Sequence, residues 1–142
     1  MSITVVGRIK ENTISEELIK RYIISYFRTD TRHSLLYEEE SFYYKCNEFS
    51  FHIMWDNDRE YPANIWDSDI LNDEYSYSEI IMFTLNKEID YDSAYKSILD
   101  FFIFLHGYIL CDILVTSDVH DDICFISDND ILWSERLANA KI

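Results

Sequence analysis

The chain has 142 residues, a hydrophobic fraction of 48% and a formal net charge of −15. The length predicts one domain spanning residues 1–142. The apolar content argues against a chain that is disordered as a whole. The charge argues against nucleic acid and anionic membranes as partners, because both are bound through Lys and Arg. The count of two glycines argues against glycine-rich phosphate loops.

The first half of the sequence predicts a strand, a helix and a β-meander. The β-branched run ITVVGRI at the N-terminus is typical of a strand. Thr13 and Glu16 fit a capping box, and apolar residues recur at helical spacing after them. The segments SLLYEEESFYYKC and EFSFHIMW then alternate with the period of half-buried strands, which predicts the meander.

The second half predicts a long loop over residues 58–79, a strand over 79–86, a helix and a closing hairpin. The helix DYDSAYKSILDFFIFLHG is expected to be capped by Asp90 or Asp92 and to end at Gly107 in the left-handed conformation. YILCDILVTSD and DICFISDNDILWS form the predicted terminal hairpin. Strands joined by short connections predict an α+β fold: a mostly antiparallel sheet covered on one face by two amphipathic helices, in a two-layer sandwich.

No metal, cofactor or catalytic site is predicted. The segment that starts at Asp67, DSDILNDEYSYS, begins like a calcium loop but has Asn72 and Ser78 where glycine and a bidentate glutamate are required. The four histidines share no zinc-ligand spacing, and the three cysteines are interpreted as reduced thiols of a cytoplasmic protein. No signal segment is recognised, and no pair of carboxylates is selected for acid–base chemistry, so a non-enzymatic protein is expected.

The acidic residues are the strongest functional signal. Residues 56–92 contain eleven Asp or Glu and two Lys or Arg, interleaved with Trp and Tyr, the residue types that anchor protein interfaces. We therefore predict a surface that binds a basic protein, with a second acidic strip on the terminal hairpin. The candidate partner-binding residues are Asp58, Glu60, Trp66, Asp67, Asp69, Asp73, Glu74, Tyr75, Tyr77, Asp118, Asp121, Asp122, Asp128 and Asp130. The alternative interpretation is a solvated acidic face whose rings lie beneath their own loop.

The layout resembles the small cytoplasmic immunity proteins of bacterial polymorphic-toxin systems, of the contact-dependent growth inhibition and swarming-inhibition kinds. The resemblance includes size, acidity and the closing segment SAYKSILDFFIFLHGYILCDILVTSDVHDDICFISDNDILWS. It implies a protein that binds one cognate toxin domain, often a basic nuclease, in a 1:1 complex and blocks it. The six Lys and Arg of residues 1–33 are then expected on the opposite side of the molecule.

Two other functions stay open at this point. One is an acidic mimic of nucleic acid that inhibits another nuclease, which requires charges spaced like phosphates. The other is a non-enzymatic adaptor or oligomerisation module that uses its edge strands.

Overall fold

The computed structural model describes residues 3–10, 16–27, 34–38, 41–45, 50–57, 64–85, 91–117, 122–128 and 130–134. Within these ranges the chain forms ten strands and two helices. In chain order they are β1 (Ile3–Ile9), α1 (Glu16–Phe27), β2 (Ser34–Glu38), β3 (Ser41–Lys45), β4 (Ser50–Asn57), β5 (Asn64–Ser68), β6 (Asp73–Tyr77), β7 (Glu79–Leu85), α2 (Tyr91–Ile109), β8 (Ile113–Ser117), β9 (Asp122–Ile126) and β10 (Ile131–Trp133).

Eight of these strands form one sheet in the order β10-β9-β8-β1-β7-β4-β3-β2, and every neighbouring pair is antiparallel. The first strand of the chain lies at the centre, between β7 and β8. The predicted α+β fold, an antiparallel sheet with two helices, is confirmed.

The alternation of side chains along β1 explains which face the helices cover. Val5 and Ile9 are fully buried in the main core, together with Phe101 and Phe102 of α2. Gly7 lies between them in the same phase, and a Cβ atom there would collide with the Phe102 ring. The central strand needs glycine at this position because the helix packs directly on its backbone. Thr4, Val6 and Arg8 therefore point to the opposite face, which we call the outer face.

One prediction of local structure was wrong and another was incomplete. Residues 64–77 are not a loop, because β5 and β6 pair as an antiparallel hairpin that lies outside the eight-stranded sheet. The predicted C-terminal hairpin is present, because β8 and β9 pair as antiparallel strands, and a third strand, β10, that was not predicted pairs with β9. The hairpin of β5 and β6 adds a partial layer on the outer face, which the two-layer prediction did not include.

The end of α2 also differs from the prediction. The helix continues past Gly107 to Ile109, and Leu110 adopts the left-handed conformation with φ 55°. The Leu110 N–H donates a 3.0 Å hydrogen bond to the His106 carbonyl, which satisfies one of the free carbonyls at the helix end. Gly107 is thus an exposed residue inside the helix, and a methyl group added to its Cα would have no atom of the described residues within 4 Å.

We expect Gly107→Ala to stabilise the protein, by about 0.5–1 kcal/mol, because alanine restricts the unfolded chain and favours the helix. Urea denaturation followed by circular dichroism measures this difference. A decrease in the unfolding free energy would mean that the space above Gly107 is occupied in solution.

Among the described residues, neither helix combines the length and the apolar character that a membrane-spanning helix requires.

Candidate protein-binding site

The β5–β6 hairpin presents two chemically different faces. Trp66 lies directly opposite Tyr75, and both rings point toward the sheet. On the other face, Asp67 lies opposite Glu74 and Ile65 lies opposite Ser76. All four of these outward residues are exposed, and Ile65 retains 58% of its accessible surface. Asp69 in the turn and Asp73 at the start of β6 extend the acidic character, and both are exposed.

The hairpin is attached to the sheet through Asp122 of β9, which is only 4% exposed. Its carboxylate accepts a 2.7 Å hydrogen bond from the Trp66 indole N–H and a 2.5 Å bond from the Ser68 hydroxyl. It also accepts a 3.0 Å bond from the Ile70 amide at the turn. A buried carboxylate requires such partners, because an unsatisfied charge in the interior is costly. These contacts fix both the strand β5 and the turn.

Arg8 of β1 supplies the positive charge beneath the hairpin. Its guanidinium carbon lies 4.0 Å from the centroid of the Trp66 ring and 4.8 Å from that of Tyr77, so the cation lies against both ring faces. Arg8 donates a 2.7 Å hydrogen bond to the Tyr77 hydroxyl and a 3.1 Å bond to the Thr116 hydroxyl. Burial lowers the pKa of Arg8, whereas Tyr77 and Asp122 favour its charged form.

Tyr75 and Ser78 connect the hairpin to the sheet backbone. The Tyr75 hydroxyl lies 3.1 Å from the Arg8 carbonyl and 3.0 Å from the Asp112 carbonyl, to which it donates. Burial raises the pKa of this phenol, with Cys111 and Asp112 adding to the effect, so the donor hydrogen is retained. The Ser78 amide donates to the Ile9 carbonyl at 3.0 Å, which aligns the end of β6 with the central strand.

Some residues predicted to contact a partner are instead internal. Tyr75 is 5% exposed and Asp122 is 4% exposed, so the prediction that both lie on the binding surface was wrong. Trp66 and Tyr77 are half-buried, and their polar atoms bond to Asp122 and Arg8. The rings lie beneath their own hairpin, as in the alternative interpretation of the sequence, because Arg8 and Asp122 provide partners there.

The structure separates the remaining acidic candidates into two places. Asp67 and Glu74 lie opposite each other on the outward face of the hairpin, Asp69 lies in its turn, and Asp73 begins β6 opposite Ser68; all four are exposed. Asp128 and Asp130 lie exposed beside β10. The Asp128 carboxylate is 3.2 Å from the His106 imidazole at the end of α2. The other four candidates, Asp58, Glu60, Asp118 and Asp121, lie outside the described residues.

Neither the family models, nor the curated proteins, nor the solved structures contain a match to this chain. Function is therefore inferred from the geometry of the hairpin and from its charge.

Two residues that determine the character of this site were not found from the sequence. Arg8 was expected on the side opposite the acids, but it lies under the acidic hairpin. A single charged residue in the apolar strand ITVVGRI was the signal that could have indicated a partner on the outer face. Ile65 was overlooked because an isolated isoleucine is usually assigned to a core, whereas here it is exposed opposite Ser76 on the outward face of the hairpin.

Within the described part of the chain, no group of three or more His, Cys, Asp or Glu residues is arranged to hold a metal ion. Ser68 and Asp122 are hydrogen-bonded, but both are buried beneath the hairpin. Cys111 and Cys124 are buried thiols within the core.

Proposed function

We propose that this chain is an immunity protein that binds and neutralises a cognate basic toxin domain, a nuclease, through the exposed face of the β5–β6 hairpin. The observation that carries the proposal is the pair Asp67 and Glu74, which face each other directly across two exposed strands. Like charges in such positions destabilise a hairpin. A cationic side chain from a partner offsets that repulsion.

The four hairpin carboxylates are available for a partner. Among the described residues, Asp67, Asp69, Asp73 and Glu74 form no ion pair with Lys or Arg. The whole chain has a formal net charge of −15. Such a negative field raises the rate at which a basic protein associates. A nuclease that binds phosphate presents positive charge around its active site, and an acidic protein can cover it.

The attachment of the hairpin favours tight binding. Asp122 and Arg8 hold the strands and the turn through Trp66, Ser68 and Tyr77. A surface that is already ordered loses little conformational entropy when a partner binds, so more of the interaction energy appears as affinity.

The test uses the toxin domain encoded by the neighbouring gene, made harmless by substitution of one catalytic residue. We expect a 1:1 complex by light scattering, an association rate that falls as salt screens the charges, and protection of growth when this chain is co-expressed with the active toxin. The proposal is contradicted if the neighbouring gene encodes no toxin domain. It is also contradicted if the toxin domain does not bind below about 0.1 M salt, where the Debye length exceeds about 10 Å.

A further inference from the structure

The β5–β6 hairpin covers only part of the outer face of the sheet. The remaining part, formed by β3, β4 and β7, carries side chains that belong to the outer face by register. We call the middle of this part the open sheet surface and define it by Tyr43, His52, Met54, Met82 and Thr84; the same registers also place Ser41, Lys45, Ser50 and Ile80 on the outer face, and Lys45 is exposed.

One row of residues across the sheet shows where the cover ends. Met54, Met82, Val6 and Thr116 are aligned by the registers of four neighbouring strands. Met54 is 48% exposed, Met82 is half-buried, Val6 is 6% exposed and Thr116 is fully buried. Burial therefore increases steadily toward the hairpin, so the open sheet surface lies directly beside it and one layer below it.

The open sheet surface is chemically unlike the hairpin. The five side chains that define it include two methionines and two rings. The rings of Tyr43 and His52 are in contact, with centroids 4.8 Å apart. Methionine is flexible and polarisable, so it adapts to the shape of an apolar partner.

We infer that the open sheet surface is the apolar centre of the interface with the same basic protein, and that the hairpin acids form its charged rim. This inference rests on the proposed function. Stable interfaces need a desolvated centre as well as a polar rim. Trp66 and Tyr75 cannot supply that centre, because their rings point toward the sheet. On the outward face of the hairpin, Ile65 is the exposed apolar side chain, and it is too small to form such a centre by itself.

The occupant follows from charge and from continuity of the surface. A basic protein drawn to Asp67 and Glu74 places its adjoining surface over Met54 and Met82, which lie beside the hairpin on the same face. A second copy of this chain is disfavoured as the occupant, because each copy has a formal net charge of −15. Burying Met54 and Met82 there also avoids the cost of desolvating carboxylates.

The test measures the association and dissociation rates of the inactivated toxin domain with Met54→Ser and with the unmodified chain. We expect the dissociation rate to rise about tenfold, because an apolar contact in the centre is lost, while the association rate and its salt dependence stay unchanged. Ile103→Ser is the matched control, because Ile103 is 42% exposed on α2, on the other side of the sheet; its rates should equal those of the unmodified chain.

A second measurement needs no substitution. Peroxide converts exposed methionine to the sulfoxide, and a bound toxin domain should slow oxidation of Met54 in proportion to occupancy. If the unmodified chain binds, but Met54 is oxidised at the same rate in the complex and Met54→Ser dissociates normally, the inference fails and the proposed function survives. If the unmodified chain does not bind, both fail.

Discussion

Asp122→Ala is expected to lower the free energy of unfolding by about 3 kcal/mol or more, the largest effect that we expect from a single substitution at the hairpin. The change removes an acceptor that is 4% exposed and leaves three donors, on Trp66, Ser68 and Ile70, without their partner. It also removes a negative charge that favours the charged form of half-buried Arg8. Urea denaturation measures the loss, and amide hydrogen exchange at Ile70 should become faster.

Asp67→Ala is the matched control for that experiment. It removes the same functional group, but from the hairpin itself and at an exposed position opposite Glu74, whereas Asp122 lies on β9 beneath the hairpin. We expect its unfolding free energy to be unchanged or slightly raised, because a like-charge pair is relieved. Equal stability of the two variants would show that the Asp122 contacts do not hold the hairpin in solution.

Replacing Asp67, Asp69 and Asp73 together with lysine is expected to slow association with the toxin domain by about tenfold or more at low salt. The substitution reverses charge where the proposed partner approaches. All three positions are exposed, and a cation at position 67 would face Glu74, so we expect the thermal transition to stay nearly unmoved. Stopped-flow or surface-based kinetics over a range of salt concentrations measure the association rate.

The control for charge reversal has the same change in net charge on the other side of the sheet. Glu17 of α1 and Asp92 and Asp100 of α2 are carboxylates of the helical layer, and Asp100 pairs with Lys96. Their joint replacement with lysine should slow association much less than the hairpin substitution. If the association rate falls by the same factor in both triple variants, net charge alone explains the rate and the hairpin has no special role.

The elements of the main sheet could be predicted because their patterns are local. In β4, Phe51 and Ile53 are buried and His52 and Met54 are exposed, as the alternation of the sequence indicates. In α2, Ile98, Phe102 and Leu105 are buried at helical spacing. Each pattern lies within one element, so short-range sequence contains it.

The hairpin could not be predicted in the same way. Its inward positions include Ser68 as well as Trp66, and its outward positions include Ile65 as well as Asp67, so polarity does not alternate along β5. The direction of the rings depends on Asp122, which is 56 residues from Trp66 in the sequence. No local pattern contains a contact of that separation.

The sequence alone therefore determined the excess of negative charge, which is a matter of composition. It also determined the amphipathic elements and the α+β class, because periodicity is a property of short segments. The tertiary structure alone decided which carboxylates are exposed and which, such as Asp122 and Glu79, are buried. Asp67 and Asp122 are the same residue type, and they differ because folding brings Trp66, Ser68 and Ile70 to one and leaves the other opposite Glu74 in solvent. Burial and hydrogen bonding set the role of each charge, and for Asp122 both come from segments that are distant in the sequence.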